Sequence, residues 1–325
     1  MATYKGIQGF SIQNLSADPS NPIEGQVWYN STSNVWKVEE TTAAGAWATG
    51  NNLNTARNQL AGAGTQTVGL AFGGDDNLPT GATEEYNGAT WATSPGSLNT
   101  ARSNLGGAGT QTATLGFGGF APPSTGATEE YNGSTWTSNP TGLNTVRYQI
   151  VAAGTQTAAL GFGGFTGTVN SGATEEYDGS TWTNSNNMNT ARRRLAGCGT
   201  QTAGLAIGGL TTTQVGATEE YDGNSWSTSP GSFNTARRGL AGCGIQTAAL
   251  AFGGFIPPST GATELYDGTS WTSSPVSMST ARNELGGCGT QALALAFGGG
   301  IPPLTGATEE WTGPGAGVTK TITVS

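Results

Sequence analysis

Carboxylates are the first residues in this chain that suggest chemistry. Glu84, Glu129, Glu175, Glu219, Glu264 and Glu309 each follow Gly-Ala-Thr, and a second Glu comes next in every case but one, where Leu265 replaces it. Paired carboxylates can run general acid–base or glycosidic chemistry. Neighbouring strand residues point to opposite faces, however, so the two members of a pair are not expected to share a substrate. Arginines keep the same rhythm at Arg57, Arg102, Arg147, Arg192, Arg237 and Arg282. One Glu matched by one Arg per copy reads as a set of structural ion pairs, since an active site is normally asymmetric. Asp75-Asp76 is the one acidic cluster outside this rhythm, and it is a weak signal.

The other reactive types are scarcer. Cys198, Cys243 and Cys288 stand 45 residues apart where earlier copies carry Ala63, Ala108 and Ala153. A site accepting Ala or Cys is small and apolar, and this spacing matches no metal motif. Histidine is absent, which removes the usual general base, the commonest metal ligand and every Ser-His-Asp arrangement. Gly-rich pieces such as Phe252-Gly-Gly-Phe lack the Lys-Ser/Thr ending of a phosphate-cradling loop. No catalytic, metal or cofactor-binding residue is therefore expected.

These residues sit in a block that recurs six times. Phe72, Phe117, Phe162, Ile207, Phe252 and Phe297 precede Gly-Gly doublets at a constant step of 45. Such a period signals a repeat array and sets the fold before any local feature does. Within a copy, Leu105–Thr110 and Thr112–Phe117 read as two strands, the second stopped by Gly118-Gly119. The loop Phe120-Ala-Pro-Pro-Ser-Thr is too proline-rich for a central ladder. Ala127–Tyr131 and Thr135–Thr137 flank Asn132-Gly133, a pattern predicting a hairpin with a type I′ turn. Asn189-Thr-Ala-Arg-Arg-Arg-Leu-Ala looks like a capped helix start, but Gly197 follows at once, so a loop entering a strand is expected.

Composition narrows the function classes. The net charge is −9 with only three lysines (Lys5, Lys37, Lys320), leaving no basic patch for nucleic acid. No run of about 20 apolar residues could span a membrane. The start MATYKGIQGF has neither a basic nor an apolar region, so no secretory signal is expected.

Four strands per copy, repeated radially, is the arithmetic of a β-propeller blade. A Gly-Gly doublet, then a Tyr, then a Trp about five residues on, with an Arg before the next first strand, resembles the kelch repeat over roughly residues 45–311. The resemblance implies an all-β, six-bladed propeller of four-stranded antiparallel blades. Kelch propellers include copper oxidases, but that chemistry uses histidines, so the resemblance implies the fold and not the activity. Trp311 fills the sixth Tyr slot with no Trp after it, while Trp47 has no doublet before it. The segment around Trp47 is thus expected to complete the last blade and remove two exposed edges.

Residues 1–44 break the period and are expected to form an attachment segment with a β-hairpin, Asn30–Asn34 at its bend. The propeller should occupy 45–316 and a C-terminal strand 317–325. The string Asp18-Pro-Ser-Asn-Pro-Ile-Glu-Gly-Gln-Val-Trp-Tyr-Asn resembles a segment of bacteriophage tail-fibre and other virion proteins. The repeat style, LNTAR with GTQTA and ATEEYDG, is similar to kelch-like virion proteins of marine phages. What this implies is a non-enzymatic virion surface protein assembled in the host cytoplasm. Ile23, Trp28, Tyr29 and Trp36 would attach it to other virion proteins. The loops after the doublets vary, and Phe120, Pro122, Phe165, Leu210, Phe255, Ile256, Ile301 and Leu304 are candidates for an apolar rim. Loops on a rigid scaffold commonly carry binding, here of a host receptor, a glycan or a neighbouring subunit, a second copy of the chain included. The alternatives are a bacterial surface glycan-binding propeller and, less favoured, a glycan-cleaving enzyme.

Overall fold

Alternation of small and large apolar residues, broken every few positions by glycine, gives short strands and no helix among the described residues. The structure is a computed structural model that describes residues 13–20, 25–41, 44–300, 303–315 and 317–322. Ile23 and Ile301 lie outside the described residues. The strands form seven four-stranded sheets, and the chain divides into two compact units, Trp47–Trp311 and a smaller one of Met1–Ala46 with Thr312–Ser325.

The larger unit is a propeller-like repeat. Its first sheet shows the plan: β5 (Ala61–Gly64), β6 (Gly69–Phe72), β7 (Thr83–Tyr86) and β8 (Trp91–Thr93), each antiparallel to the last. Four further sheets repeat it in sequence order, beginning at Gly106, Val151, Ala196 and Ala241. The sixth combines Gly286–Gly289, Leu293–Phe297 and Thr308–Thr312 with β4 (Ala46–Gly50), a strand from the other end of the chain.

Close approach of the first strands explains their glycines. A Cβ on Gly107 would lie 2.6 Å from the Phe72 ring of the preceding sheet. The doublets are required for a different reason. Gly118 and Gly119 have φ of +62° and +108°, and a Cβ on Gly118 would lie 2.9 Å from the Arg147 carbonyl.

The core lies between consecutive sheets. Leu115 and Phe117 of the second sheet pack with Ile150, Tyr177 and Trp182 of the third. Leu53, Tyr86 and Trp91 of the first pack in the same way with Leu295 and Phe297 of the sixth.

The Asn-Gly and Asp-Gly hairpins differ from the expected type I′ turn. Tyr131 is paired with Trp136, so the loop has four residues, 132–135, and only Gly133 takes positive φ. The Asn132 side chain organises it instead, its Oδ1 accepting the backbone N–H of Ser134 at 3.0 Å and of Thr135 at 2.9 Å. Asp178 does the same, and the Thr181 and Ser180 donors hold its carboxyl down at about 2.

In the smaller unit, β2 (Val27–Asn30) and β3 (Val35–Thr41) form the hairpin expected around Asn30–Asn34. Asn34 bends it at φ +55°. β1 (Gln13–Leu15) pairs parallel to β2, and the C-terminal strand Gly317–Ile322 pairs antiparallel to β3.

Candidate functional site

The recurring Arg and Glu meet in every repeat. The third-strand Glu accepts from the Arg that precedes the first strand, for example Arg237–Glu264 at 2.5 Å and Arg282–Glu309 at 2.7 Å. Arg57–Glu84, Arg147–Glu175 and Arg192–Glu219 form the same pair. In the remaining pair Arg102 Nη1 lies 3.0 Å from Glu129, without directed hydrogen-bond alignment. All six arginines are fully buried, so each needs internal acceptors. Arg147 Nε donates to the Gly163 carbonyl at 2.9 Å, and its Nη1 donates to that of Thr145 at 2.9 Å. Glu175 in turn accepts the N–H of Asn144 at 2.6 Å and of Thr145 at 3.2 Å, fixing the loop before the arginine. Burial pulls the Arg147 guanidinium below its ordinary value while the Glu175 charge pushes it back up.

The second Glu works between sheets. Glu85 accepts the Tyr131 hydroxyl at 2.5 Å, Glu130 that of Tyr177 at 2.6 Å, and Glu310 that of Tyr86 at 2.5 Å. Leu265 and Trp311, each an exception in its own column, occupy the two halves of this contact and pack together. Where the carboxylate is missing, the hydroxyl is missing too. The outer-strand tryptophans add a second set of links, Trp136 Nε1 donating to Thr83 Oγ1 at 3.0 Å and Trp47 Nε1 to Thr263 Oγ1 at 2.9 Å.

The cysteines are buried, and Cys288 and Cys243 donate to the Thr65 and Thr290 carbonyls at 3.4 and 3.5 Å. Burial pushes the Cys198 and Cys288 thiols up to about 12, so neither supplies a thiolate at neutral pH. Among the described residues no group of three His, Cys, Asp or Glu is placed to hold a metal.

The expected rim is more covered than an open apolar surface. Phe120, Phe165, Leu210 and Phe255 are half-buried, each bridged to the residue after an arginine, namely Ser103, Tyr148, Arg193 and Arg238. Tyr148 packs between Phe120 and Phe165, at ring distances of 5.4 and 5.6 Å. Arg193 stacks on Phe165 and Arg238 on Phe255, at 4.4 and 4.7 Å. Ile256 and Leu304 are half-buried and Pro122 is exposed. Among the described residues the most exposed apolar loop residues are Leu78 and Val169, which are not in the candidate set.

The sequence reading missed the column two residues after each conserved arginine. Gln59, Asn104, Gln149, Arg194, Gly239 and Glu284 all take φ between +52° and +62°. Their backbones bond to one another: Asn104 N–H donates to the Gln59 carbonyl, Gln149 to Asn104, Gly239 to Arg194, Glu284 to Gly239 and Gln59 to Glu284, at 2.6–2.8 Å. Their side chains join as well. Asn104 donates to Gln59 at 2.5 Å, Gln59 to Glu284 at 2.9 Å, and Arg194 reaches past Gly239 to Glu284 at 3.1 Å. Beside Gly239 opens a cavity of about 610 Å³, lined in part by Arg194, Arg238, Phe255, Asn283 and Leu304. The available signal was variability: Asn-Gln, Ser-Asn, Tyr-Gln, Arg-Arg, Arg-Gly and Asn-Glu separate an unvarying Arg from Leu or Ile.

In the smaller unit Trp28 is fully buried, which removes it from any attachment surface. Its Nε1 donates to Asp18 at 3.0 Å, and Asn30 and Lys37 donate to the same carboxylate at 2.7 and 2.5 Å. These bonds, that of Lys37 foremost, hold the Asp18 carboxyl at about 2. Tyr29 and Trp36 remain half-exposed and pack together at 5.3 Å.

No protein-family profile matches the chain, and no curated protein matches it.

Proposed function

We propose that the larger unit with β4 is a six-bladed, kelch-like propeller, and that the chain is a non-enzymatic structural protein of a bacteriophage particle. The ring reading is supported by links between the sixth sheet and the first of the same kind as those between their neighbours, including Tyr86 to Glu310 and Gln59 to Glu284. β4 then supplies the outer strand of the sixth blade, with Trp47 in the slot of Trp136. The particle assignment rests on the resemblance of residues 18–30 and of the repeat style to phage virion proteins. In this reading residues 1–44 bind other virion proteins, and one end of the ring presents its variable residues to a host receptor or a neighbouring subunit.

One observation carries the non-enzymatic reading: every recurring Glu, Arg and Cys is committed to a contact within or between sheets, while the residue two places after each repeat arginine changes from copy to copy. A bacterial surface glycan-binding propeller is the second reading, favoured by the arginine-lined cavity. Purified particles of the encoding phage should give peptides of this chain in a protease digest and bind gold-labelled antibody raised against residues 47–311. A chain found only on the bacterial envelope overturns the particle assignment in favour of the second reading.

A further inference from the structure

We infer that the cavity beside Gly239 binds a carboxylate-bearing sugar residue, with Arg238 pairing with the carboxylate. The inference rests on the proposal that this end of the repeat unit presents its variable residues; it does not depend on the particle assignment.

Cation placement is the first support. Of the 12 Lys and Arg residues, three are the lysines Lys5, Lys37 and Lys320, and six are the buried repeat arginines. The three that remain, Arg193, Arg194 and Arg238, all follow the arginines of the fourth and fifth copies. In a chain of net charge −9, every propeller cation not committed to the repeat is gathered on one sector of one end.

The three do not share one environment. Arg193 donates to Asn170 at 3.1 Å and stacks on Phe165. Arg194 pairs with Glu284, whose other oxygen accepts from Gln59 and Asn58 at 2.9 and 3.4 Å, so that carboxylate is fully engaged. Arg238 is different: its Nε is buried without a partner, as is that of Arg194, but its guanidinium has no hydrogen bond and no carboxylate partner among the described residues, whereas Arg194 has Glu284. Phe255 holds it from one side, which orients the planar fork without neutralising it. A guanidinium kept this way calls for a planar anion, and a carboxylate matches its paired donors.

The walls select a sugar over a bare ion. About 610 Å³ is far more than a carboxylate needs and lies within the usual range for small-molecule sites. Phe255, Pro303 and Leu304 supply an apolar side, and the amides of Asn58, Asn77 and Asn283 offer donors and acceptors to hydroxyls. Gly239 makes the room. The equivalent positions carry Gln59, Asn104, Gln149, Arg194 and Glu284, and only here is the side chain missing.

The test is calorimetric titration of the full chain with methyl glucuronide, methyl glucoside and sodium acetate at matched ionic strength. The glucuronide should bind at least about tenfold tighter than either control, the ratio expected when one charged hydrogen bond worth about 1.5 kcal/mol is added to sugar contacts. Arg238→Ala should lose at least that factor. Gly239→Asn should lose it too by filling the notch, since Asn104 already holds the same backbone conformation with φ +55°. Arg193→Ala, outside the cavity, should bind as the parent does, and thermal melts establish that all variants fold. Equal binding of glucoside or acetate, indifference to Arg238→Ala, or no heat at about 10 mM ligand overturns the inference. None of these outcomes bears on whether the chain is found on particles, and the particle digest does not bear on them.

Discussion

Arg147 and Gln149 are two residues apart, recur with the same period, and obey opposite rules. The arginine never varies across the six copies; the residue two places on is Gln, Asn, Gln, Arg, Gly or Glu. Burial separates them. A guanidinium with no exposure depends on internal acceptors, so Arg147, Glu175 and the loop carbonyls between them specify one another. At the positive-φ column the backbone is what is specified, by its conformation and the carbonyl-to-amide chain, and the side chain is free to change. The same period therefore encodes a fixed side chain at one position and a fixed backbone with a variable side chain at the next but one.

Breaking the buried pair should have the largest effect. Glu175→Ala leaves Arg147 charged and buried and is expected to cost about 3–5 kcal/mol in denaturant unfolding. Gln149→Ala should change stability by no more than about 0.5 kcal/mol. A similar cost for the two would erase the contrast. Next comes Trp47→Ala, which removes an indole packed on Phe252 and Trp311 at 5.1 and 5.4 Å and should cost about 3 kcal/mol. If β4 completes the sixth sheet as Trp136 completes the second, Trp136→Ala will cost a similar amount.

Most of the scaffold was legible in the sequence because identity and burial go together there. The doublets, the Trp and Tyr columns and the Arg–Glu match all recur, and the structure assembles them into four-stranded sheets with β4 in the last. The hairpin turn was misread because Asn-Gly suggests a two-residue loop, whereas the Asn132 side chain holds four. The positive-φ column was invisible for a physical reason: its constraint is a backbone conformation that Gln, Asn, Arg and Glu all adopt here, so no residue type marks it. The coupling of Leu265 to Trp311 needed the third dimension, since the two lie in different copies.

That coupling offers a smaller test. Leu265→Glu alone places a carboxylate beside the Trp311 indole, whose one donor is committed to the Gln291 carbonyl at 3.0 Å, and should cost about 1–2 kcal/mol. Adding Trp311→Tyr recreates the contact seen between Glu220 and Tyr266, at 2.5 Å, and the double-mutant cycle should show a favourable coupling of about 1 kcal/mol. Additive costs would mean that the Glu–Tyr contacts of the other sheets contribute little.

The least disruptive probe is alkaline pH, because it separates the scaffold's thiols from its phenols without a deletion. Burial pushes Cys198 and Cys288 up to about 12, and an unfolded thiol titrates at about 8.5. Burial, reinforced by the bonds to Glu85, Glu176 and Glu220, pushes Tyr131, Tyr221 and Tyr266 up to about 12, against about 10 when unfolded. In both cases the folded chain keeps its protons longer, so the stabilisation is complete below the unfolded value and is lost as pH rises towards the folded one. Unfolding free energy should begin to fall near pH 8.5 and fall more steeply above about pH 10. Replacing Cys198, Cys243 and Cys288 by Ala, the residue of the first three copies, should flatten the first part and leave the second. Tyr131→Phe should reduce only the second. A profile still falling between about pH 8.5 and 10 without the thiols would require a titrating group other than the residues that hold these sheets together.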